Sequence, residues 1–282
     1  MPRRLLPMGL AALTVACTVG CGSPGPGPAL VVGASPDPQN TLLANIYAAG
    51  LRYYGTAAQV QISDDPLADL DAGTATVAAG FTGRLLGHFD PGSAARSAEQ
   101  VYRAMAGALP EGLAAADYAV AAEDKAALAV TEATAQTWGS RELSALVKNC
   151  SRVRVGSAAG TRTLGAVGEC RLASGREFPS TATLFEALRD GAVTAAWTST
   201  AAIGTPGGVV VLVDRKPALI PAQNVVALYR RNELGQMQLR AVNEIAGVLD
   251  TASLVQMAER VAAGVDTRQV AQDWLAENPL GR

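Results

Sequence analysis

Short apolar runs alternate with amphipathic helical segments along most of this chain, and this alternation constrains its fold more than any other feature. The runs at 29–33, 126–130 and 209–213 consist of Ala, Val, Leu and Gly, a composition typical of buried strands. Between the runs, segments such as 40–54 and 181–189 repeat apolar residues three and four positions apart, as one face of a helix does. The pattern predicts an α/β fold with mainly parallel sheets.

Local signals predict where several elements begin and end. Asn40 is the predicted N-cap of the first helix, and residues 81–83 are predicted to form a turn. A further helix is predicted over 93–109. Asp250 and Asp266 each precede Thr and are predicted to cap two closing helices.

The segment 1–21 has the features of an export signal. Two arginines near its start are followed by the apolar stretch 5–19, which is shorter than the roughly 20 residues that a membrane-spanning helix needs. Cys21, with residues 18–20 before it, resembles the cysteine of a bacterial lipobox, which is diacylated and becomes the mature N-terminus. We therefore predict a signal peptide over 1–21 and a mature protein held by a lipid anchor on the extracytoplasmic face of the cell membrane.

Two alternatives remain open for this segment. Cys17 lies in a weaker sequence of the same kind, and Thr18 stands where the lipobox pattern prefers Leu. The other alternative is an ordinary secretory signal in which the Cys is incidental. We favour Cys21 because the Gly- and Pro-rich run 22–28 that follows it is a suitable flexible tether.

The composition argues against several classes of function. The chain is 49% hydrophobic and 17% charged, which fits a globular protein with a core, and its formal net charge of −2 offers no basic surface for nucleic acid. His88 is the single histidine, whereas serine-hydrolase triads and the usual zinc sites depend on histidine. We therefore predict no enzyme activity, no metal and no cofactor. Chemistry based on Ser–Lys or on paired carboxylates stays open, but no spacing pattern supports it.

Cys150 and Cys170 are the two cysteines outside the predicted leader. An even pair in an oxidising compartment predicts a structural disulfide. It would close a loop of about 20 residues and stabilise the fold by about 3 kcal/mol in the chain-entropy model. The alternative is two free thiols.

Several segments resemble the solute-binding proteins of ABC importers for glycine betaine, choline and related osmoprotectants. The segments are ALVVGASPDPQNTLLANIYAAGLRYYG at 29–55, AGFTGRLLG at 79–87, YAVAAEDKAALAV at 118–130, ALRDGAVTAAWTST at 187–200, VVLVDRKPALIPAQNVVALYR at 210–230 and the terminal helices at 234–280. The resemblance spans about 29–280, and it rests on the whole set because no single motif is diagnostic.

This resemblance implies a two-lobed fold of the type II periplasmic-binding-protein class, with a ligand cleft between lobes that close by a hinge motion. It implies a discontinuous first lobe, 22–117 plus 219–282, around a second lobe, 118–218. The charged residues 123–125 at the crossover are expected to be an exposed hinge face. The implied function is capture of a quaternary-amine osmoprotectant for an ABC permease and its ATPase.

The chemistry of such a ligand selects the candidate site residues. A quaternary ammonium has no N–H to donate, so aromatic faces hold it by cation–π attraction of about 0.5–2 kcal/mol each. Phe81 and Trp197 match the aromatic positions of the family's ligand loops, and Tyr118 at the crossover is a third candidate. The polar candidates are the hydroxyl and amide residues near these aromatics and in the first and return loops: Ser35, Asn40, Thr82, Thr198, Gln223 and Asn224.

Two departures from the family pattern bear on the ligand. Phe81 stands where Tyr is usual, and Arg84 stands where a small hydroxyl residue is common; Arg84 is expected either to face a ligand carboxylate or to be solvated. Residues 222–224 stand where some relatives place a further aromatic, so a box of four aromatics is not evident. Two alternative functions therefore stay open: binding of another small polar solute, and a lipid-anchored sensor or scaffold.

Overall fold

The computed structural model describes residues 28–281, so the predicted signal peptide, Cys17 and Cys21 lie outside the described residues. The helices and strands in chain order are β1 (Leu30–Ala34), α1 (Pro38–Tyr53), β2 (Ala58–Ile62), α2 (Pro66–Ala72), β3 (Val77–Phe81), α3 (Thr82–Phe89), α4 (Ala98–Ala108), β4 (Leu113–Ala115), β5 (Ala126–Thr131), α5 (Glu132–Trp138), α6 (Leu143–Lys148), β6 (Val155–Ala158), β7 (Ala166–Val167), β8 (Cys170–Arg171), β9 (Arg176–Phe178), α7 (Thr181–Arg189), β10 (Ala195–Ser199), β11 (Val209–Val211), β12 (Val225–Arg230), α8 (Gln236–Val248), α9 (Thr251–Ala262) and α10 (Thr267–Glu277).

The first sheet has five strands in the order β2-β1-β3-β12-β4. Successive strand residues point to opposite faces, and each face is covered by its own apolar core. On one face α1 packs with α8, α9 and α10 through side chains such as Ile46, Ile245 and Trp274. On the other face α3 and α4 contribute Leu85 and Met105.

The second sheet also has five strands, in the order β11-β5-β10-β6-β9. Leu143 and Leu146 of α6 belong to the core on one face, and Leu184 and Phe185 of α7 belong to the core on the other. Beside this sheet, β7 and β8 form a two-stranded ribbon. A disulfide joins Cys150 to Cys170 there, with Sγ atoms 2.07 Å apart.

The prediction of mainly parallel sheets was wrong, because four of the eight pairings in these two sheets are antiparallel. The antiparallel pairings all involve β5 or β12. These are the strands that the chain enters directly after it crosses from one sheet to the other. Apolar periodicity indicates that a strand is buried but does not encode its direction.

Segments 116–125 and 212–224 carry the chain between the two sheets, and they pair with each other. The backbone N–H of Asp124 donates to the carbonyl of Gln223 at 2.9 Å, and Glu123 forms an isolated antiparallel bridge with Asn224. The predicted lobe boundaries fall within these crossing segments, and they stay a prediction.

The expectation that residues 123–125 are exposed was wrong for two of the three. Asp124 and Lys125 are each only 8% exposed. Lys125 Nζ lies 3.3 Å from Asp214 Oδ2, a carboxylate of the other crossing segment. Burial is tolerated because each charge has a partner of opposite sign.

Three local predictions also need correction. Asp37, not Asn40, caps α1, since its carboxylate accepts the backbone N–H of Asn40 at 2.9 Å. Residues 81–83 are the end of β3 and the start of α3 rather than a turn. The helix predicted over 93–109 begins only at Ala98, because Ser97 forms a capping box at its N-terminus. Asp250 and Asp266 cap α9 and α10 as predicted.

Candidate functional site

A cleft of about 630 Å³ lies between the two sheets and is lined by residues from both, a size within the range of small-molecule sites. The first-sheet side contributes Asp37, Gln39 and Arg84, and the crossing segment contributes Asp124. The lining from the second-sheet side consists of Ala126, Gly160, Thr161, Arg162, Thr181, Trp197, Thr198, Ser199, Ala202 and Ile203.

Most of these residues lie where a strand ends and the following loop or helix begins. Asp37 follows β1, Arg84 follows β3, and the loop 160–162 follows β6. The carboxyl ends of parallel strands meet at one edge of a sheet, where α/β proteins place ligands. Helices α1 and α3 begin at this edge of the first sheet, and α7 begins with Thr181 at the corresponding edge of the second sheet. Their N-terminal ends favour a negatively charged ligand group.

Arg84 extends into the cleft from the first turn of α3 and makes two contacts there. Its Nη2 lies 3.1 Å from Asp124 Oδ2, and its guanidinium carbon lies 4.4 Å from the centroid of the Phe81 ring. Burial lowers the pKa of Arg84, and the nearby Asp124 carboxylate opposes that effect. The ion pair therefore neutralises two of the four charged side chains that line the cleft.

Asp37 and Arg162 are the other two charged side chains of the lining. Within residues 28–281, neither forms an ion pair, and both residues are exposed. The cleft thus presents one carboxylate and one guanidinium to a ligand. This arrangement suits a small solute that carries charges of both signs.

Two of the predicted site residues, Trp197 and Thr198, line the cleft. Both belong to β10, and Trp197 packs into the core of the second sheet. Trp197 is only 3% exposed, so little of the residue is accessible from the cleft. It is the single aromatic side chain among the lining residues.

Three more predicted residues, Ser35, Asn40 and Phe81, line a smaller cavity of about 230 Å³ that shares Asp37 and Arg84 with the cleft. Both polar atoms of the Asn40 side chain already form hydrogen bonds within the protein. Its Oδ1 accepts the backbone N–H of Ser35 at 2.7 Å, and its Nδ2 donates to the carbonyl of Ala79 at 2.9 Å. Asn40 therefore fixes the loop after β1 against β3.

Thr82, Gln223 and Asn224 are not part of the cleft lining; the structure places them in a buried joint between β3, α3 and β12. Gln223 Oε1 accepts the backbone N–H of Arg84 at 2.9 Å. Asn224 Nδ2 donates to the carbonyls of Ala119 and Val120, at 3.0 and 3.2 Å. The three side chains hold the crossing segments in place, and Asn224 Oδ1 is buried without a hydrogen-bond partner among the described residues.

Tyr118 also lies away from the cleft lining. Its ring packs against Tyr102, with centroids 4.6 Å apart, and belongs to the core on the α4 face of the first sheet. Tyr118 lies in the first crossing segment, and its ring packs against this core instead of the cleft.

Sequence reasoning did not select Arg162, Thr161, Thr181 or Asp124 as site residues. Arg162 and Thr161 follow β6, which was not recognised as a strand because Val155–Ala158 contains Gly and Ser. Recognition of β6 would have placed this loop at the carboxyl edge of the sheet. Asp124 was missed because its charge suggested exposure.

The described part of the chain offers no obvious metal centre. Within residues 28–281, no group of three or more His, Cys, Asp or Glu side chains is placed to hold a metal ion. Across the same residues, none of the helices combines the length and the apolar character needed to cross a membrane.

Comparison with known proteins places this geometry in context. Residues 28–277 match a family model described as the substrate-binding domain of ABC-type glycine betaine transport systems. A comparison with curated protein sequences found no match.

Three solved structures are similar over most of the chain. Apo YehZ from Escherichia coli is 20% identical with a TM-score of 0.66, over 89% of this chain and 99% of that protein. A glycine betaine/carnitine/choline ABC transporter structure is 15% identical with a TM-score of 0.69, over 88% and 98%. A choline-binding protein of an ABC transporter, solved with choline, is 12% identical with a TM-score of 0.53, over 89% of each. The predicted two-lobed binding-protein fold is confirmed.

Proposed function

This chain belongs to the family of substrate-binding domains of ABC-type glycine betaine transport systems, and we propose on that premise that it captures a quaternary-amine osmoprotectant. Membership makes it a solute-binding component of an ABC importer. The cleft between the two sheets is the proposed binding site. The observation that carries the proposal is the meeting of an aromatic side chain, a carboxylate and a guanidinium in one cavity of about 630 Å³.

Each of these groups suits one part of such a ligand. A quaternary ammonium is held by an aromatic face and by negative charge, which Trp197 and Asp37 provide. A ligand carboxylate is held by charge-assisted hydrogen bonds, for which Arg162 and the hydroxyl of Thr161 are the proposed donors. The N-terminal end of α7 at Thr181 favours the same negative group.

Five of the nine predicted ligand contacts are kept in this proposal, and they fall into two groups. Trp197 and Thr198 contact the ligand directly, since both line the cleft. Ser35, Asn40 and Phe81 line the adjoining smaller cavity and contact the ligand only if it extends past Arg84. Closure of the two sheets onto the ligand then presents the bound form to the permease.

We also propose that the protein acts at the extracytoplasmic face of the membrane, anchored through a lipid on Cys21. The support is the lipobox-like sequence before Cys21 and the Gly- and Pro-rich run after it. An anchored binding protein stays close to the permease that receives the ligand, which raises its effective concentration. The ATPase that drives transport is a further proposed partner.

A second candidate function is a lipid-anchored sensor or scaffold that retains the binding fold. Two observations favour it: Trp197 is the single aromatic residue in the lining, and the Phe81 face is covered by Arg84. A protein of this kind would bind a quaternary amine weakly.

The melting temperature of the purified protein, measured with a panel of solutes, tests the proposed function. The panel contains glycine betaine, choline, carnitine, several amino acids and sugars. A ligand at 100 times its dissociation constant adds about 2.7 kcal/mol of stability. A rise in melting temperature with a quaternary amine supports the proposal; a rise only with amino acids or sugars contradicts the ligand class. No rise with any compound favours the sensor or scaffold.

A further inference from the structure

The guanidinium of Arg84 lies over the face of the Phe81 ring, where a ligand cation would otherwise bind. The Arg84 guanidinium carbon lies 4.4 Å from the Phe81 ring centroid, within the distance at which a ligand cation is attracted to an aromatic face. Phe81 is only 2% exposed. A ligand ammonium can therefore reach this face only after Arg84 leaves it.

The contacts that hold Arg84 in this position are incomplete. One hydrogen bond joins its Nη2 to Asp124 Oδ2. The Arg84 Nε and the second oxygen of Asp124 are both buried without a hydrogen-bond partner among the described residues. An unsatisfied buried polar atom is costly, so a rearrangement that gives these atoms partners is favoured.

We propose that Arg84 is a specificity-determining residue that competes with the ligand's cation for the face of Phe81. This inference rests on the proposed function, because it concerns the ligand of the same cleft. Arg84 and Asp37 line both the cleft and the smaller cavity that contains Phe81, so Arg84 lies at the boundary between the two.

The competition discriminates between two kinds of quaternary amine. A ligand that also carries a carboxylate offers the displaced guanidinium a new partner, and Arg–carboxylate pairs are among the strongest charge-assisted hydrogen bonds. A ligand with a quaternary ammonium alone offers none. The wild-type cleft therefore selects against ligands that lack a carboxylate.

Titration calorimetry with glycine betaine, which has a carboxylate, and choline, which has none, tests this inference. We expect the wild type to bind glycine betaine more tightly than choline. In Arg84→Gln, choline affinity should rise about tenfold, a change of 1.4 kcal/mol, while glycine betaine affinity should not rise. The ratio of the two affinities then falls at least tenfold. Arg84→Lys keeps the charge but loses the planar group, so its affinity ratio should lie between those of wild type and Arg84→Gln.

Two further variants separate competition from a structural effect. Arg176→Gln is the matched control, since the Arg176 guanidinium carbon lies 4.8 Å from the Phe178 ring centroid and neither residue lines the cleft. It should leave the affinity ratio unchanged. In a Phe81→Leu background the gain of choline affinity by Arg84→Gln should disappear, because the aromatic face is absent.

The outcomes distinguish this inference from the proposed function. Binding of both compounds with an affinity ratio that Arg84→Gln does not change overturns the role of Arg84 and leaves the proposed function intact. A gain of choline affinity that persists with Phe81→Leu overturns it as well. Failure of the wild type and of Arg84→Gln to bind either compound overturns both.

Discussion

Thr82 and Asn224 exchange two hydrogen bonds at the point where the chain re-enters the first sheet. The backbone N–H of Thr82 donates to the Asn224 carbonyl at 2.9 Å, and the Asn224 N–H donates to Thr82 Oγ1 at 3.1 Å. Thr82 is fully buried and Asn224 is 2% exposed. The pair thus fixes the second crossing segment against the start of α3, which carries Arg84 into the cleft.

Replacement of Thr82 by Val removes the hydroxyl acceptor but keeps the shape of the side chain. The buried N–H of Asn224 then loses its partner, so we expect a loss of about 1–3 kcal/mol in the free energy of unfolding, measured by urea denaturation. Thr137→Val is the control, because the Thr137 hydroxyl bonds to the Ala133 carbonyl at an exposed site. Equal stability of Thr82→Val and wild type would contradict a structural role for Thr82.

A side chain at position 83 should not be tolerated. A Cβ on Gly83 would lie 2.5 Å from the Ala222 carbonyl oxygen and 2.6 Å from Gln223 Nε2. The crossing segment must therefore shift, and we expect Gly83→Ala to lower the free energy of unfolding by about 1–3 kcal/mol.

Gly87→Ala is the matched control for this prediction, since it makes the same change in the same helix. A Cβ on Gly87 meets no atom within 4 Å. Alanine is the better helix former by about 1 kcal/mol, so this variant should be as stable as wild type or more so. If Gly83→Ala were as stable as Gly87→Ala, the packing of Gly83 against Ala222 and Gln223 would be looser than the structure indicates.

The disulfide should stabilise the part of the chain that carries Arg162. The loop between Cys150 and Cys170 contains residues 160–162 of the cleft lining. Conversion of both cysteines to Ser should lower the free energy of unfolding by about 3 kcal/mol, as expected for a loop of this length. Denaturation with and without a reductant checks this: wild type should lose stability on reduction, and the double variant should not respond. An equal effect of the reductant on the stability of wild type and of the double variant would contradict the Cys150–Cys170 disulfide.

The lipid anchor is tested by fractionation of the natural host. Cys21→Ser should move the protein from the membrane to the soluble fraction, because it removes the predicted site of acylation. Cys17→Ser, a neighbouring change of the same kind, should leave the protein in the membrane fraction. The reverse result would assign the anchor to Cys17, and retention of both variants would contradict an anchor on either residue alone.

The sequence predicted the fold more fully than the site. The α/β class follows from the alternation of short apolar runs, such as those at 29–33 and 126–130, with amphipathic helical segments, and these two runs form β1 and β5. The directions of β5 and β12 did not follow, because they depend on where the chain crosses between the sheets. Asp250 and Asp266 were identified as caps because capping depends on residues three positions away.

The site was harder to predict because polar residues near a cleft can serve the fold or the ligand. Trp197, predicted as a ligand contact, belongs to β10 and lines the cleft, and its contact with a ligand stays a prediction. Asn224, which directly precedes β12, instead donates its amide to the carbonyls of Ala119 and Val120 in the first crossing segment. Sequence alone does not show which backbone groups lack partners, and that information separates the two roles.

The affinity of Trp197 variants for glycine betaine tests the central claim most directly. Trp197→Phe keeps an aromatic face, whereas Trp197→Leu removes it while keeping an apolar side chain in the core of the second sheet. Loss of a cation–π contact of about 0.5–2 kcal/mol weakens binding by roughly 2- to 30-fold. We predict weakening of this size in Trp197→Leu and a smaller effect in Trp197→Phe, with both variants folded. Equal affinities of wild type and Trp197→Leu would contradict capture of a quaternary amine at this cleft.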